Sequence, residues 1–459
     1  MTTLNRRKFL ATSAMAGAAV GLGGCQVTKP TISPAIRKIG PTDKINCAVV
    51  GVAGMGGYAT RSAEKENLVA LCDVDAKRAG KYFGRLNTTP QYADFRKMLD
   101  KHDKDIDAVL ISTPDHTHFP IAMAAMELGK HVFIQKPLAH NVWQVRTLQA
   151  AAKKYGVVTQ MGNQGHTFEG MRRMIEWTNA GIIGDVTEVV TWTNRPNAPW
   201  FVPPAKFPLP EEAVPEGLDW DLWQGPVPER KYSSEFVPTK WRGWWDYGCG
   251  GLGDIGCHTI DGPFWMLDLG LPTRVEVERK DPPVKGFISM SSKTTYHFPA
   301  RGKKPPVKLT WYERGFEVPK PKRWDQSQPL GAEGGMYMEG TKETLYHPGM
   351  RPRSPRITPN ERFTEVKPEL AKIEKLPSVG DGPIDEWFRA IKGIGKTPGS
   401  NFDYAVPLTE TVLLGALAQR TGVSFDYDAK NMKVKGHPEF DVLLKEPVRK
   451  GWEYGEGLI

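Results

Sequence analysis

The chain has 459 residues, of which 40% are hydrophobic and 25% are charged, and its formal net charge at pH 7 is +9. This length is sufficient for two domains with large hydrophobic cores. The basic residues are scattered along the chain and form no stripe, so the sequence gives no support for nucleic-acid binding. Residues 1–24 hold three basic and no acidic residues, and their removal would lower the net charge to +6.

The N-terminal segment has the pattern of an export signal. The sequence NRRKFL (5–10) contains a pair of arginines, and a weakly apolar run follows over residues 10–22. The run ends in LGGC, which resembles a bacterial lipobox with Cys25 as the lipidated residue; a cleaved signal in which Cys25 has no role is the alternative. We expect residues 1–25 to be a twin-arginine signal with a lipobox and residues 26–42 to be a tether. The mature protein would then be periplasmic and lipid-anchored.

The five cysteines form no recognisable framework. Cys25 belongs to the signal, while Cys47 and Cys72 lie in apolar runs that are typical of buried strands. The sequence contains no CxxC and no Cys/His spacing of a zinc site. We therefore expect neither a disulfide framework nor a metal site.

The first apolar run, INCAVVG (45–51), predicts a buried parallel strand. A second run, LVALC (68–72), ends at Asp73, which lies 22 residues after Gly51. A glycine-rich turn and a helix-compatible stretch lie between the two runs. This order predicts a Rossmann unit, in which the turn approaches a pyrophosphate and the acid binds the adenosine ribose. The expected cofactor contacts in the turn are Gly51, Ala53, Gly54, Met55 and Gly56.

The acid after the second strand predicts the choice of cofactor. A carboxylate at Asp73 repels a 2′-phosphate, which favours NAD over NADP, although Arg78 lies nearby. The middle position of the glycine motif is Ala53, which still permits a close approach of the backbone.

Two further apolar runs, at 108–112 and 131–134, predict additional strands of the same sheet. In open α/β sheets, ligands bind beyond the carboxyl ends of the strands. The residues that follow these runs are therefore expected to contact the cofactor: Thr113, Pro114, Asp115, His116, His118 and Lys136.

The stretch GCGGLGDIGCH (248–258) places Asp254 and His258 four residues apart after a run of glycines. On a helix these two side chains would project from the same face. Such a pair can be two metal ligands, a proton relay or a buried polar pair with a purely structural role. No further ligand stands at near spacing, which disfavours the metal.

These motifs together resemble the Gfo/Idh/MocA oxidoreductase family, which includes glucose–fructose oxidoreductase and inositol dehydrogenase. The similar motifs are AVVGVAGMG (48–56), ALCDVD (70–75), STPDHTH (112–118), QKP (135–137), MGNQGH (161–166), AGIIGDVTEV (180–189) and GDIGCH (253–258). The resemblance spans residues 43–459 and implies an α/β fold. It implies a Rossmann NAD(P)-binding domain over 43–163, followed by a substrate-binding and oligomerisation α/β domain over 164–459 with an open, mostly antiparallel sheet.

The resemblance also implies catalytic roles for Lys136, Asp254 and His258. A histidine suits a general base that removes a hydroxyl proton, and a carboxylate can fix its tautomer. Lys136 can donate to the substrate oxygen. The family usually has Glu where this chain has Gln135, and the effect of that change on the cofactor ring stays open.

Substrate contacts are expected after two strands of the second half. Asn163 and His166 follow the run at 157–161, and Asn194 and Arg195 follow the run at 186–193. Seven of the fourteen tryptophans lie between residues 192 and 245. Indole rings stack on the C–H faces of sugars, so Trp241 and Trp244 are candidate contacts, with core packing as the alternative for each.

The leading hypothesis is an NAD(P)-dependent oxidoreductase that acts on CH–OH groups of a sugar, glycoside or cyclic polyol. It would be exported folded with NAD tightly bound, and it would form a homodimer or homotetramer. One alternative is an NAD-dependent glycoside hydrolase that works by transient oxidation and elimination. The other is a nucleotide-binding lipoprotein without catalysis.

Overall fold

The structure is a computed structural model that describes residues 36–282, 284–380 and 382–459. The predicted signal, its Cys25 and the first part of the predicted tether lie outside the described residues. In the part of the chain that the structure describes, no helix is long and apolar enough to cross a membrane.

The first half forms a parallel sheet that confirms the predicted Rossmann fold. Within the described residues it has six strands in the order β3-β2-β1-β4-β5-β6, all parallel. The strands are β1 (Asn46–Val50), β2 (Asn67–Cys72), β3 (Gln91–Tyr92), β4 (Ala108–Ile111), β5 (His131–Ile134) and β6 (Thr159–Met161). The order reverses between β1 and β4, and ligands of open sheets bind at such a point.

Five helices of the first half connect these strands. They are α1 (Gly56–Ala63), α2 (Ala76–Arg85), α3 (Phe95–Lys101), α4 (Asp115–Glu127) and α5 (Val142–Tyr155). Their ends follow local chemistry: the Asp75 carboxylate accepts from the Arg78 N–H at the start of α2, and Gly156 ends α5 with a φ of +66°. Helix α4 begins directly after Pro114, because Pro114 is extended and Asp115 suits a first turn.

The second half forms a larger sheet that is antiparallel except where β7 pairs with β10. The order within the described residues is β13-β12-β11-β7-β10-β9-β8-β14-β15. The strands are β7 (Val186–Thr193), β8 (Arg274–Arg279), β9 (Ser292–Phe298), β10 (Val307–Tyr312), β11 (Gly334–Gly340), β12 (Thr344–Pro348), β13 (Arg356–Thr358), β14 (Phe425–Asp428) and β15 (Lys433–Lys435). The predicted mostly antiparallel sheet is therefore confirmed.

The helices of the second half cover one face of this sheet and extend beyond it. They are α6 (Glu169–Asn179), α7 (Trp220–Gln224), α8 (Gly250–Thr259), α9 (Asp261–Leu267), α10 (Asn360–Leu370), α11 (Pro383–Ile391), α12 (Phe402–Thr421) and α13 (Asp441–Leu444). The long helix α12 packs on β8, β9 and α8. Residues from α8, α12 and the sheet belong to one cluster of buried side chains that continues into the Rossmann half.

The two faces of the Rossmann sheet have different partners. The neighbouring residues Val49 and Val50 of β1 belong to separate buried clusters, because successive side chains of a strand point to opposite faces of the sheet. The face with Val49 packs against α1 and α2, and also against Ile384, Trp387 and Phe388 of α11. The boundary at 163/164 stays a prediction, but α11 returns from the second half of the sequence to complete the Rossmann core.

We predict that Trp387→Ala lowers the free energy of unfolding by about 3–5 kcal/mol, because it removes a fully buried indole and leaves a cavity. The indole N–H also donates to the Val158 carbonyl at 3.1 Å. Thermal unfolding followed by circular dichroism would measure the loss. The control is Val442→Ala, since this valine is 55% exposed. Equal melting temperatures for the two variants would contradict the role of α11.

Candidate active site

A cleft of about 1310 Å³ runs along the carboxyl ends of β1, β2, β4 and β5. One wall consists of Rossmann loops, and the other comes from residues 222–254 and from Trp452 near the C-terminus. The cleft is lined by most of the predicted cofactor contacts: Gly51, Ala53, Gly54, Met55, Asp73, Thr113, Pro114, Asp115 and Lys136.

Two glycines make the turn after β1 possible. Gly51 has a φ of +79°, and a Cβ there would lie 2.8 Å from the carbonyl oxygen of Ser112. A Cβ at Gly56 would lie 1.8 Å from the carbonyl oxygen of Gly51. Since neither position has room for a side chain, the turn stays tight and α1 starts directly beside it. A Rossmann domain binds a pyrophosphate at this kind of helix N-terminus.

Asp73 is tied to the glycine turn by backbone hydrogen bonds. Its Oδ2 accepts from the Val52 N–H at 2.9 Å, and its Oδ1 accepts from the Asp75 N–H at 3.0 Å. Burial raises the pKa of Asp73, and these hydrogen bonds oppose that shift. The arrangement orients the carboxylate along the cleft, where it can accept from ribose hydroxyls. Arg78 also lines this end of the cleft.

Several buried polar atoms on the Rossmann wall have no hydrogen-bond partner within the described residues. They are the hydroxyl oxygens of Ser112 and Thr113 and the amide nitrogen of Gln135, and all three residues line the cleft. An unmade hydrogen bond in a buried position is costly. A dinucleotide with phosphate, ribose and carboxamide groups offers the missing partners, so the residues present fit this class of cofactor.

His116 and His118 do not line the cleft, although both were expected to contact the cofactor. The His116 ring lies 2.8 Å from the Trp223 carbonyl and 3.2 Å from the Tyr247 carbonyl, and burial lowers its pKa to about 3. The His118 ring contacts the carbonyls of Pro137 and Thr113, each at 2.8 Å. Because α4 begins at Asp115, both side chains project from its first turn into the protein.

Lys136 and Asp254 form an ion pair at the end of the cleft. The Lys136 ammonium donates to the Asp254 Oδ1 at 2.8 Å and to the Asp254 carbonyl at 2.7 Å. Burial alone would raise the pKa of Asp254, but Lys136, Arg242 and Arg195 hold it well below its usual range. The carboxylate is therefore ionised, and one of the three ammonium protons is left for another acceptor.

His258 lies one turn further along α8, and its side chain is buried. Among the described residues no hydrogen bond joins it to Asp254, whereas the interpretation as a relay paired the two. The carboxylate turns to the nearby cations because their attraction exceeds that of a neutral ring. The Arg351 Nη2 donates to the His258 Nε2 at 3.4 Å, and the His258 Nδ1 has no hydrogen-bond partner in the described part of the chain. Burial, and then Lys136 and Arg351, hold the pKa of His258 well below its usual value.

Three arginines, Arg195, Arg242 and Arg351, lie close to Asp254 and His258. Arg195 Nε lies 3.5 Å from the Asp254 Oδ2, and Arg242 Nε lies 3.9 Å from the Asp254 Oδ1. The structure thus places the predicted substrate contact Arg195 beside the predicted catalytic residues. Sequence reasoning missed Arg242 and Arg351. Arg242 follows no strand end, and Arg351 follows β12, a strand that the sequence analysis did not predict.

Asn163 and His166 lie between the two halves of the protein and do not line the cleft. The His166 Nδ1 is 3.0 Å from the Asp261 Oδ1, and its ring stacks on Trp265 with a centroid distance of 4.2 Å. Asn163 is fully buried, and neither polar atom of its side chain has a hydrogen-bond partner among the residues that the structure describes.

The remaining predicted substrate contacts divide between the cleft and the core. Trp241 lines the cleft, and Arg242 stacks on its ring at 4.3 Å. Trp244 is buried in an aromatic cluster with Phe236 and Phe287, and its N–H donates to the Glu235 carbonyl. Asn194 is half-buried at the end of β7 and does not line the cleft.

No group of three or more His, Cys, Asp or Glu side chains within the described residues is arranged to hold a metal ion. The four described cysteines, Cys47, Cys72, Cys249 and Cys257, are buried and free.

Comparison with known proteins gives consistent matches over both halves. Residues 45–163 match the model described as "Oxidoreductase family, NAD-binding Rossmann fold", and residues 172–299 match the "Oxidoreductase family, C-terminal alpha/beta domain". A myo-inositol 2-dehydrogenase of Thermotoga maritima is 28% identical over 33% of this chain and 46% of its own length. A glycosyl hydrolase family 109 protein of Solibacter usitatus is 25% identical over 41% of this chain and 45% of its own length. Each match thus spans less than half of the relative.

Solved structures share the fold. The WlbA dehydrogenase of Bordetella pertussis, solved with NADH and UDP-GlcNAcA, has a TM-score of 0.58 and 14% identity, and the match covers 84% of this chain and 99% of that one. At this identity the likeness concerns the fold alone. The two family models, however, together match more than half of the residues. The chain therefore belongs to the Gfo/Idh/MocA oxidoreductase family.

Proposed function

We propose that this protein is an NAD-dependent oxidoreductase that acts on a CH–OH group of a sugar, glycoside or cyclic polyol. The observation that carries the proposal is the ion pair of Lys136 and Asp254 at the end of a cleft that begins at the glycine turn and Asp73. His258 lies one turn further along the same helix as Asp254 and does not itself line the cleft. Inositol and sugar dehydrogenases among the relatives support this substrate class.

The cofactor would bind along the Rossmann wall, with its pyrophosphate at the turn of Gly51 and its adenosine ribose at Asp73. Nicotinamide dinucleotides supply hydride acceptor and donor chemistry. Asp73 favours NAD because its charge repels a 2′-phosphate. The fit to the unpartnered hydroxyls of Ser112 and Thr113 supports a polar ligand on this wall.

His258 would take the proton of the substrate hydroxyl. The Nε2–Arg351 contact is long at 3.4 Å, so the lone pair of this nitrogen is only weakly engaged. The third N–H of the Lys136 ammonium, which Asp254 does not use, would donate to the substrate oxygen and stabilise negative charge that develops there. Asp254 positions that ammonium, since it accepts from it through both its side chain and its backbone.

The far wall of the cleft supports tight retention of the cofactor. Leu222, Trp223, Val237, Pro238 and Trp241 come from the segment between β7 and α8, and Trp452 comes from the C-terminal region. These apolar groups would exclude water from a bound dinucleotide. Retention suits an exported enzyme, because a cofactor carried out with the folded chain would have to be recycled in place. Export, lipidation at Cys25 and oligomerisation stay predictions.

The second candidate is an NAD-dependent glycoside hydrolase that oxidises its substrate transiently. The match to a glycosyl hydrolase family 109 protein over 41% of this chain favours it. The same Lys136 and His258 would start either reaction. The product separates them: net oxidation leaves an oxidised sugar, whereas hydrolysis releases an aglycone and leaves no oxidised product.

We predict that protein purified under native conditions and then denatured releases NAD in near-stoichiometric amount, as identified by mass spectrometry. Asp73→Ser should lower the NAD content and relax the discrimination against NADP by about tenfold, since a carboxylate-to-ribose hydrogen bond is worth about 1.5 kcal/mol. Asp100→Asn, which changes an exposed acid of α3, is the matched control. Bound NADP in the wild type would contradict the role of Asp73, and protein that neither carries nor binds any nucleotide would contradict the proposed function.

We predict that His258→Ala lowers kcat/KM by about 10²–10⁴, because a general base is lost. The pKa of His258 is held well below 6.5, so its neutral form persists as the pH falls through 6.5. The acidic fall in kcat/KM of the wild type should accordingly lie well below pH 6.5, and it should be absent from the residual activity of His258→Ala.

The control for the pH profile is His102→Ala, which removes a histidine of the Rossmann half that lies outside the cleft. This variant should show the same acidic fall in kcat/KM as the wild type. If the acidic fall in kcat/KM persists in His258→Ala, the base is another residue.

A further inference from the structure

The Asp254 carboxylate at the end of the cleft is shared by several cations. Among the described residues, only Lys136 makes a hydrogen bond to the Asp254 side chain, at 2.8 Å. Arg195 and Arg242 approach the same carboxylate at 3.5 and 3.9 Å, distances at which an ion contact is weak. Their side chains keep 27% and 23% of their surface exposed, and Arg242 lines the cleft.

Arg351 has no acidic partner among the described residues. Its Nη2 donates to the Gln164 Oε1 at 3.1 Å and to the His258 Nε2 at 3.4 Å, and both acceptors are neutral. Its Nε is buried and has no hydrogen-bond partner within residues 36–282, 284–380 and 382–459. Burial lowers the pKa of Arg351, and repulsion from Arg353 and Arg195 adds to the effect. A guanidinium is effectively always protonated, so the protein keeps an uncompensated charge beside its candidate base.

Asp115 is the other acid of this part of the cleft. Its Oδ2 accepts from the Cys249 N–H at 3.2 Å, and no hydrogen bond joins it to the three arginines in the described part of the chain. Burial raises its pKa, which weakens it further as a counter-ion. Four cations thus face two acids, and the site holds a surplus of positive charge.

The arginines are held in place for recognition. Arg242 stacks on Trp241 at 4.3 Å, and Arg195 lies over Trp200 at 5.8 Å. Stacking through the face of a guanidinium leaves its N–H edge free to bind an oxyanion. The cofactor's pyrophosphate does not meet this need, because the glycine turn at the other end of the cleft provides its site.

We infer that the substrate carries an anionic substituent, a carboxylate or a phosphate, and that Arg195, Arg242 and Arg351 bind it. This inference rests on the proposed function and specifies its substrate class as acidic sugars. The carboxylate or phosphate would accept the unused N–H groups of the three guanidinium groups in charge-assisted hydrogen bonds. Its charge would also compensate Arg351, so His258 would take up a proton more readily once the substrate is bound.

The test uses the protein with its native cofactor and three matched probes: glucose, glucuronate and glucose 6-phosphate. Thermal shift titration measures binding without turnover, and nicotinamide absorbance measures turnover. We expect the anionic probes to stabilise the protein at concentrations about 10- to 100-fold lower than glucose, since a charge-assisted hydrogen bond gives discrimination of this order. A comparison of the stabilisation by glucuronate with that by glucose 6-phosphate shows whether the site prefers a carboxylate or a phosphate.

Arg351→Gln and Arg195→Gln should each reduce this preference by about tenfold or more. The matched control is Arg353→Gln, which removes the same charge from an exposed side chain that packs on Phe168. Since Arg351 has no acidic partner among the described residues, its replacement breaks no ion pair and should lower the melting temperature no more than the control does. That result would separate a loss of recognition from a loss of folding.

The inference is overturned if neither anionic probe stabilises the protein better than glucose, or if Arg351→Gln and Arg353→Gln bind the probes alike. Either result leaves the proposed function intact when the protein carries a nicotinamide cofactor and turns over neutral sugars or polyols. A protein without affinity for any nucleotide would instead refute the proposed function.

Discussion

The ion pair between Lys136 and Asp254 joins the two halves of the protein at the candidate site. Lys136 follows β5 of the Rossmann sheet, and Asp254 lies in α8 of the second half, so the contact fixes the distance between a strand end and a helix. The Lys136 side chain is 14% exposed and the Asp254 side chain is 13% exposed. In such surroundings the loss of either partner would leave a charge largely without solvent, which makes the pair a strict constraint on how the two halves meet.

The same pair determines the state of the candidate base. The carboxylate of Asp254 is engaged by cations, and its attraction for a charged His258 ring is outweighed by burial and by the charges of Lys136 and Arg351. This differs from a triad, in which an acid holds the imidazolium. The protein instead supplies positive charge around a neutral ring, and the balance of charge depends on what the substrate brings.

The fold class and the cofactor-binding region could be predicted because their signals are local. The strand, the glycine turn and Asp73 all lie within residues 46–73, and each has a specific role in the Rossmann unit. Contacts across the fold could not be predicted in the same way. Arg351 reaches His258 over 93 residues of sequence, and no periodicity marks it. His116 and His118 follow a strand as expected, but α4 begins at Asp115 and its first turn directs both side chains away from the cleft.

The contribution of α11 to the Rossmann core has a consequence for how the chain folds during synthesis. The strands that α11 covers are complete once residue 161 has been made, yet one face of their sheet lacks Trp387 until the chain is nearly finished. A nascent chain must therefore carry an open apolar surface through most of its translation. The nucleotide half would reach its final packing last, together with the substrate half, so the two would mature as one unit on release from the ribosome.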